Sequence, residues 1–84
     1  MTKKEIKDLI IKSDYKNKEV VIWWRWKENK VYDNFDKAVA FWDGYHFNVT
    51  DSNYVWDFDE LVDEVYNLSK CFGFKLKILE VKND

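Results

Sequence analysis

The 84-residue chain contains no proline, two glycines, one cysteine, one histidine and one arginine. Each shortage removes a class of protein. The absence of proline, with glycine only at Gly44 and Gly73, argues against a multi-linker chain. The length allows one domain at most, so residues 1–84 read as a single unit. Cys71 cannot close an internal disulfide, and one Cys with one His cannot build a Cys/His zinc site. His46 has no Ser or Cys at a spacing that signals a triad, and it reads as a surface residue on the polar side of a strand. Cys71 reads as a small buried hydrophobe. There is no glycine-rich phosphate loop, and Asp57-Phe58-Asp59-Glu60 lacks the glycine and twelve-residue ligand pattern of an EF-hand. The expectation is a protein that is not an enzyme and carries no cofactor or metal.

Long apolar runs are missing too. None approaches the roughly 18 residues of a membrane span, and Met1-Thr2-Lys3-Lys4-Glu5 leads into no apolar signal-peptide core. No membrane partner is expected, and the expected compartment is a reducing cytoplasm.

Aromatic residues, by contrast, are abundant: five Trp, five Tyr and six Phe. Each buries about 150–250 Å² when packed, so a small protein without disulfides can build its core from them. So small a body cannot hide all five indoles, and one or two are expected at the surface, where Trp and Tyr act as binding anchors. Of the 14 basic residues only Arg25 is not Lys, and there are seven Asn. That bias resembles AT-rich coding, as in low-GC bacteria and their phages. No internal repeat or low-complexity segment is present.

Hydrophobic spacing sets out the elements. Thr2 with Glu5 is a capping box, and Ile6, Leu9 and Ile10 follow at helical spacing, which predicts a helix over about 3–13. Glu19 to Trp26 is β-branched and aromatic. Val20, Ile22, Trp24 and Trp26 fall on one face, and Val21, Trp23 and Arg25 on the other. Both faces are largely apolar, so an interior strand with cover on each side is expected. Lys27 to Lys30 reads as a turn, and Val31-Tyr32 as the start of a returning strand. Between Asn34 and Gly44, Phe35, Ala38, Val39 and Trp42 fit a short helix capped by Asn34 and stopped by Gly44. The competing reading makes Asp43-Gly44 a hairpin turn between strands; the helix is favoured because the alternation before it is poor. Tyr45, Phe47 and Val49 alternate as a half-buried strand, Asp51-Ser52-Asn53 is turn chemistry, and Tyr54-Val55-Trp56 returns. Asp57 with Glu60 is a second capping box. It opens a helix whose stripe is Phe58, Leu61, Val62, Val65, Leu68 and Phe72, with Gly73 as the stop. Phe74 to Val81 is the last strand, with Leu79 and Val81 breaking its alternation. The order α-β-β-(α)-β-β-α-β is an α+β domain: a mostly antiparallel sheet of four to five strands with two or three helices packed on it.

The net charge of −2 conceals a partition. Residues 1–30 carry nine basic and five acidic groups, residues 31–69 one and nine, and residues 70–84 four and two. If these segments separate in space, a partner meets an acidic patch and a basic patch rather than their average, because charge is screened beyond about 8 Å. Asp57, Asp59, Glu60, Asp63 and Glu64, with Trp56 at their edge, form the acidic candidate surface for a protein partner with a basic nucleic-acid-binding groove. The function expected from this is a small non-catalytic inhibitor or adaptor of phage or mobile-element origin. Its target class would be a host nucleic-acid-handling protein such as a defence nuclease. Early Asp and Glu also serve the helix itself. The alternative reading is single-stranded nucleic-acid binding through Trp23, Arg25, Lys27 and Lys30, where aromatic faces and cations alternate. A third is self-association, with the aromatic strand as a homodimer interface.

Overall fold

The computed structural model describes residues 1–25 and 36–81. Helix α1 (Lys3–Lys12) starts where the sequence places it. The Thr2 hydroxyl accepts the Glu5 amide N–H at 3.1 Å, and the Glu5 carboxylate accepts the Thr2 amide at 3.0 Å. That second bond, to a backbone N–H, holds the Glu5 carboxyl below its ordinary value. A single 3₁₀ turn, Tyr15–Asn17, leads into strand β1 (Lys18–Arg25). Then come β2 (Asp36–Trp42), β3 (Phe47–Val49), β4 (Val55–Trp56), helix α2 (Phe58–Leu68) and β5 (Phe72–Glu80). The strands form one antiparallel sheet in the order β4-β3-β2-β1-β5. The mixed α+β class read from the sequence is therefore the observed one. α2 carries the chain from one border of the sheet to the other.

Both helices pack on the same face of the sheet. Ile6 and Ile10 of α1 and Leu61, Val62, Val65 and Leu68 of α2 close over Val20 and Ile22 of β1, Ala40 of β2 and Phe47 of β3. Most of these side chains have no exposed surface at all. At one end, Tyr15 gathers Trp42, Phe47 and Phe58 around it with ring centroids 5.5 Å away, and Trp42 and Phe47 lie 4.9 Å apart. This cluster absorbs much of the aromatic surplus, with tilted and edge-on geometries that suit ring quadrupoles.

Five expectations are corrected. Residues 36–42 are a strand, not a helix. Ala38 and Ala40 pair with Ile22 and Val20 on one side, and Ala40 pairs with Val49 on the other. The run is apolar throughout because Ala38, Ala40 and Trp42 face the helices while Val39 and Phe41 share the opposite face with β1. Tyr45 belongs to the β2–β3 turn and is 80% exposed, so β3 begins only at Phe47. Helix α2 ends at Leu68, and Phe72 belongs to β5, 57% exposed, not to the helical stripe. Gly73 is not a helix stop but part of a bulge. Trp23 pairs with Lys75 but Arg25 with Phe72, so Gly73 and Phe74 together stand opposite Trp24, and Gly73 takes the left-handed φ of 62° that such a bulge uses. Finally, β1 is interior in the sheet, but among the described residues helices cover only one of its faces. Trp26, the turn at Lys27 to Lys30, Val31-Tyr32 and Lys82 to Asp84 lie outside the described residues.

Candidate functional site

The face of the sheet that no described helix covers is built from the strand register. Side chains alternate across a strand, so with Val20, Ile22 and Trp24 turned to the helices, Glu19, Val21, Trp23 and Arg25 turn away from them. Their partners across the ladder arrange the face in rows. Lys37, Trp23 and Lys75 form the first; Val39, Val21 and Lys77 the second; and Val55, Asn48, Phe41, Glu19 and Leu79 the third. Arg25 and Phe72 form a partial row beyond the bulge.

The centre of the face is apolar and its margin positive. Val21 is only 2% exposed, Trp23, Val39 and Phe41 are half-buried, and Leu79 and Val55 are exposed. Among the described residues, Arg25, Lys37, Lys75 and Lys77 share this face with Glu19, and the Asp43 carboxylate reaches its border through its bond to the Asn48 amide. The Lys37 ammonium lies 5.7 Å from the Trp23 ring centroid, within cation–π range. Leu79 and Val81 broke the alternation when β5 was read alone; on the sheet, Leu79 shares the outward face with Lys75 and Lys77.

The acidic helix is organised differently. The Asp57 carboxylate accepts the Glu60 amide at 2.7 Å, and Glu60 accepts the Asp57 amide at 3.3 Å, so both serve the helix start. Asp63 meets Lys3 of α1 at 3.0 Å, both side chains more than half exposed. Tyr66, one turn on, has Lys70 at 4.4 Å and Lys3 at 5.3 Å from its ring. Lysines contributed by both ends of the chain thus adjoin the acidic helix. Asp59 is exposed, and Glu64 turns to the other flank. There, with Asp51, Tyr54, Trp56 and Leu68, it lines an open groove of about 700 Å³. Trp56 pairs with Phe47 and packs on the core, so only part of its ring is presented.

The β2–β3 turn carries, among the described residues, the carboxyl held furthest below its ordinary value. Asp43 accepts hydrogen bonds from the Asn48 side-chain amide and from the backbone N–H groups of His46 and Tyr45, each at 2.8 Å. The Asn48 bond first, then the two amides, hold its carboxyl down at about 2. These bonds brace a turn in which Gly44 has a φ of 105°, and their role is structural. His46 is exposed, and Cys71 is half-buried against the core. Among the described residues, no group of three or more His, Cys, Asp or Glu converges as metal ligands. No helix among them is long and apolar enough to cross a membrane.

Of the residues singled out in the sequence, Trp23 and Arg25 lie on one face as expected, while Lys27 and Lys30 lie outside the described residues. Lys37, Lys75, Lys77 and Phe41 were missed. The alternation Lys75-Leu76-Lys77-Ile78 was the available signal for the β5 pair, but only the register brings it beside Trp23. No protein-family model matches the chain, and neither the curated proteins nor the solved structures contain a match to it.

Proposed function

We propose that the chain is a non-catalytic binding protein whose recognition surface is the face of the sheet turned away from the helices and whose partner is a polyanion. One observation carries this reading: the ladder sets a lysine on each side of Trp23 and another beside Val21. An apolar, aromatic centre ringed by cations supplies contact area and long-range attraction together. Two copies of such a face repel, which argues against this face as a homodimer interface.

The test uses heparin as a generic polyanion, titrated at low salt. Wild-type protein is expected to bind with affinity that falls steeply as salt rises. The double variant K37E/K77E is expected to lose at least about tenfold, since two phosphate-type contacts and their counterion release are removed. Unchanged affinity in that variant refutes the assignment of the face.

A second reading has the groove beside α2 in its favour. Glu64 and Asp51 line it together with Lys37, and with the rings of Tyr54 and Trp56 they suit a basic segment of a protein partner. On this reading the chain is an inhibitor of phage or mobile-element origin. Its carboxylates would take the place of phosphates in the groove of a host nucleic-acid-handling protein such as a defence nuclease. Charge reversal at Glu64 and Asp59 should then abolish capture of a lysine-rich peptide. Capture unaltered by both reversals removes the acidic helix from the account.

A further inference from the structure

We propose that the outer side of β5, from Leu76 to Glu80, is a strand-addition site for an extended segment of a partner protein in which a carboxylate stands between two aliphatic residues. The inference stands apart from the polyanion reading, although Lys77 belongs to both. β5 ends the strand order, and among the described residues only β1 is bonded to it. In an antiparallel ladder every second residue directs its N–H and C=O to one neighbour, and the residues between direct theirs the other way. Half of the β5 backbone groups therefore point away from β1, in the geometry that an added strand uses. Ile78 to Glu80 lie six to eight residues along the strand from Phe72, about 20–27 Å. Residues 26–35 are tied to Arg25 and Asp36 at the Phe72 end, and half their number extends over about 17–18 Å, short of that stretch.

Burial falls off toward this side. Val20 and Ile22 have no exposed surface, while their partners Ile78 and Leu76 are half-buried on the same face. α2 adjoins β4 at the other end of the strand order, so α1 lies toward β5. Round α1, Ile6 stands between Lys3 and Leu9, about 60° from each. Lys3 meets Asp63 of α2, so Leu9, 39% exposed, is on the flank toward β5. Aliphatic residues of an added strand, opposite Leu76 and Ile78, extend to this pair the cover that Val20 and Ile22 have from β5.

The other face of the strand chooses the charge. Lys77 is exposed there, between Leu76 and Ile78 in the chain. A carboxylate directly across from it is favourable and a cation unfavourable. A second copy of β5 is disfavoured on that ground: with Leu76 set against Ile78 of the other copy, the two Lys77 residues stand directly opposite each other. A polyanion without side chains of its own satisfies Lys77 but offers nothing aliphatic to Leu76, Ile78 and Leu9.

The test uses a labelled heptapeptide of alternating Val and Glu, and its counterpart with Lys in place of Glu, by anisotropy at low salt. The wild-type protein is expected to bind the Val–Glu peptide about threefold to tenfold more tightly, the range that a cross-strand charge pair supplies, and K77E should reverse the order. Two further Val–Glu peptides carry N-methyl groups on alternate amides, one on the odd residues and one on the even. One should bind like the parent, and the other should lose about tenfold or more, because its bonds to β5 are blocked. Equal losses in both, or none in either, would overturn strand addition. Wild-type preference for the Val–Lys peptide, or polyglutamate bound as tightly as the Val–Glu peptide, would overturn the assigned chemistry. Sedimentation as a dimer that the peptide fails to separate would decide against the inference in favour of a second copy. Heparin bound without the Val–Glu peptide would defeat this inference alone, whereas the peptide bound without heparin would support it and remove the polyanion reading. The peptide comparisons are made on wild-type protein, so they survive any folding defect in the variant.

Discussion

The two faces of the sheet are made by the same strands and differ in almost every physical respect. On the helical face, Val20, Ile22, Ala40 and Phe47 have no exposed surface and no charged neighbour within the cluster. On the other face, one residue along each strand, Trp23, Val39 and Phe41 are left half-buried among Lys37, Lys75 and Lys77. The first face holds the molecule together. The second carries charge at its margin and leaves part of its aromatic surface accessible. The acidic helix resembles the first face more than the second in its use of charge. Asp57 and Glu60 are spent on its own amides, and Asp63 on Lys3.

The comparison breaks most visibly at Phe47, which touches Tyr15, Trp42 and Phe58. Phe47→Ala should cost about 3–5 kcal/mol in chemical denaturation, enough to unfold much of a domain of ordinary stability. By contrast, K37E/K77E should shift stability by no more than about 0.5 kcal/mol per site while weakening polyanion binding at least about tenfold. A large loss of stability there would show that the open face is structural after all.

A smaller effect separates capping from recognition. Asp57→Ala should lower stability by about 1 kcal/mol, because the Glu60 amide loses its acceptor. Asp63→Asn, at an exposed ion pair, should change it by less than about 0.5 kcal/mol. The smallest effect is a local one at Asp43. Its carboxyl is held at about 2 against an ordinary 3.8, so the folded turn favours the ionised form. That contribution is full above pH of about 4 and disappears as the pH falls through about 2. Amide exchange at Tyr45 and His46 should accelerate over this window, and Asp43→Asn should flatten the response.

Local chemistry was legible in the sequence where one residue's role is settled by near neighbours. Both capping boxes and the β1 alternation are of that kind, because the hydrogen-bonding partner lies three residues away or the period is short. Asp36–Trp42 was not legible as a strand. Its residues are apolar on both faces, so the same letters satisfy i, i+3, i+4, i+7 as well as a strand, and only the pairing with Val20 and Val49 decides. The candidate site failed for a related reason. Trp23, Lys37 and Lys75 are brought into one row by register alone, and no spacing along the chain encodes it.

The two borders of the sheet are unequal. β4 is two residues long, whereas β5 runs for nine and has no further strand beside it among the described residues. Such a border invites edge-to-edge aggregation, and alternating lysines are a common guard against it. Replacing Lys75 and Lys77 with alanine or valine removes that guard. Neutral variants should come out of solution as concentration rises, whereas glutamate variants should remain dispersed, since repulsion between like charges protects the border whichever sign it has.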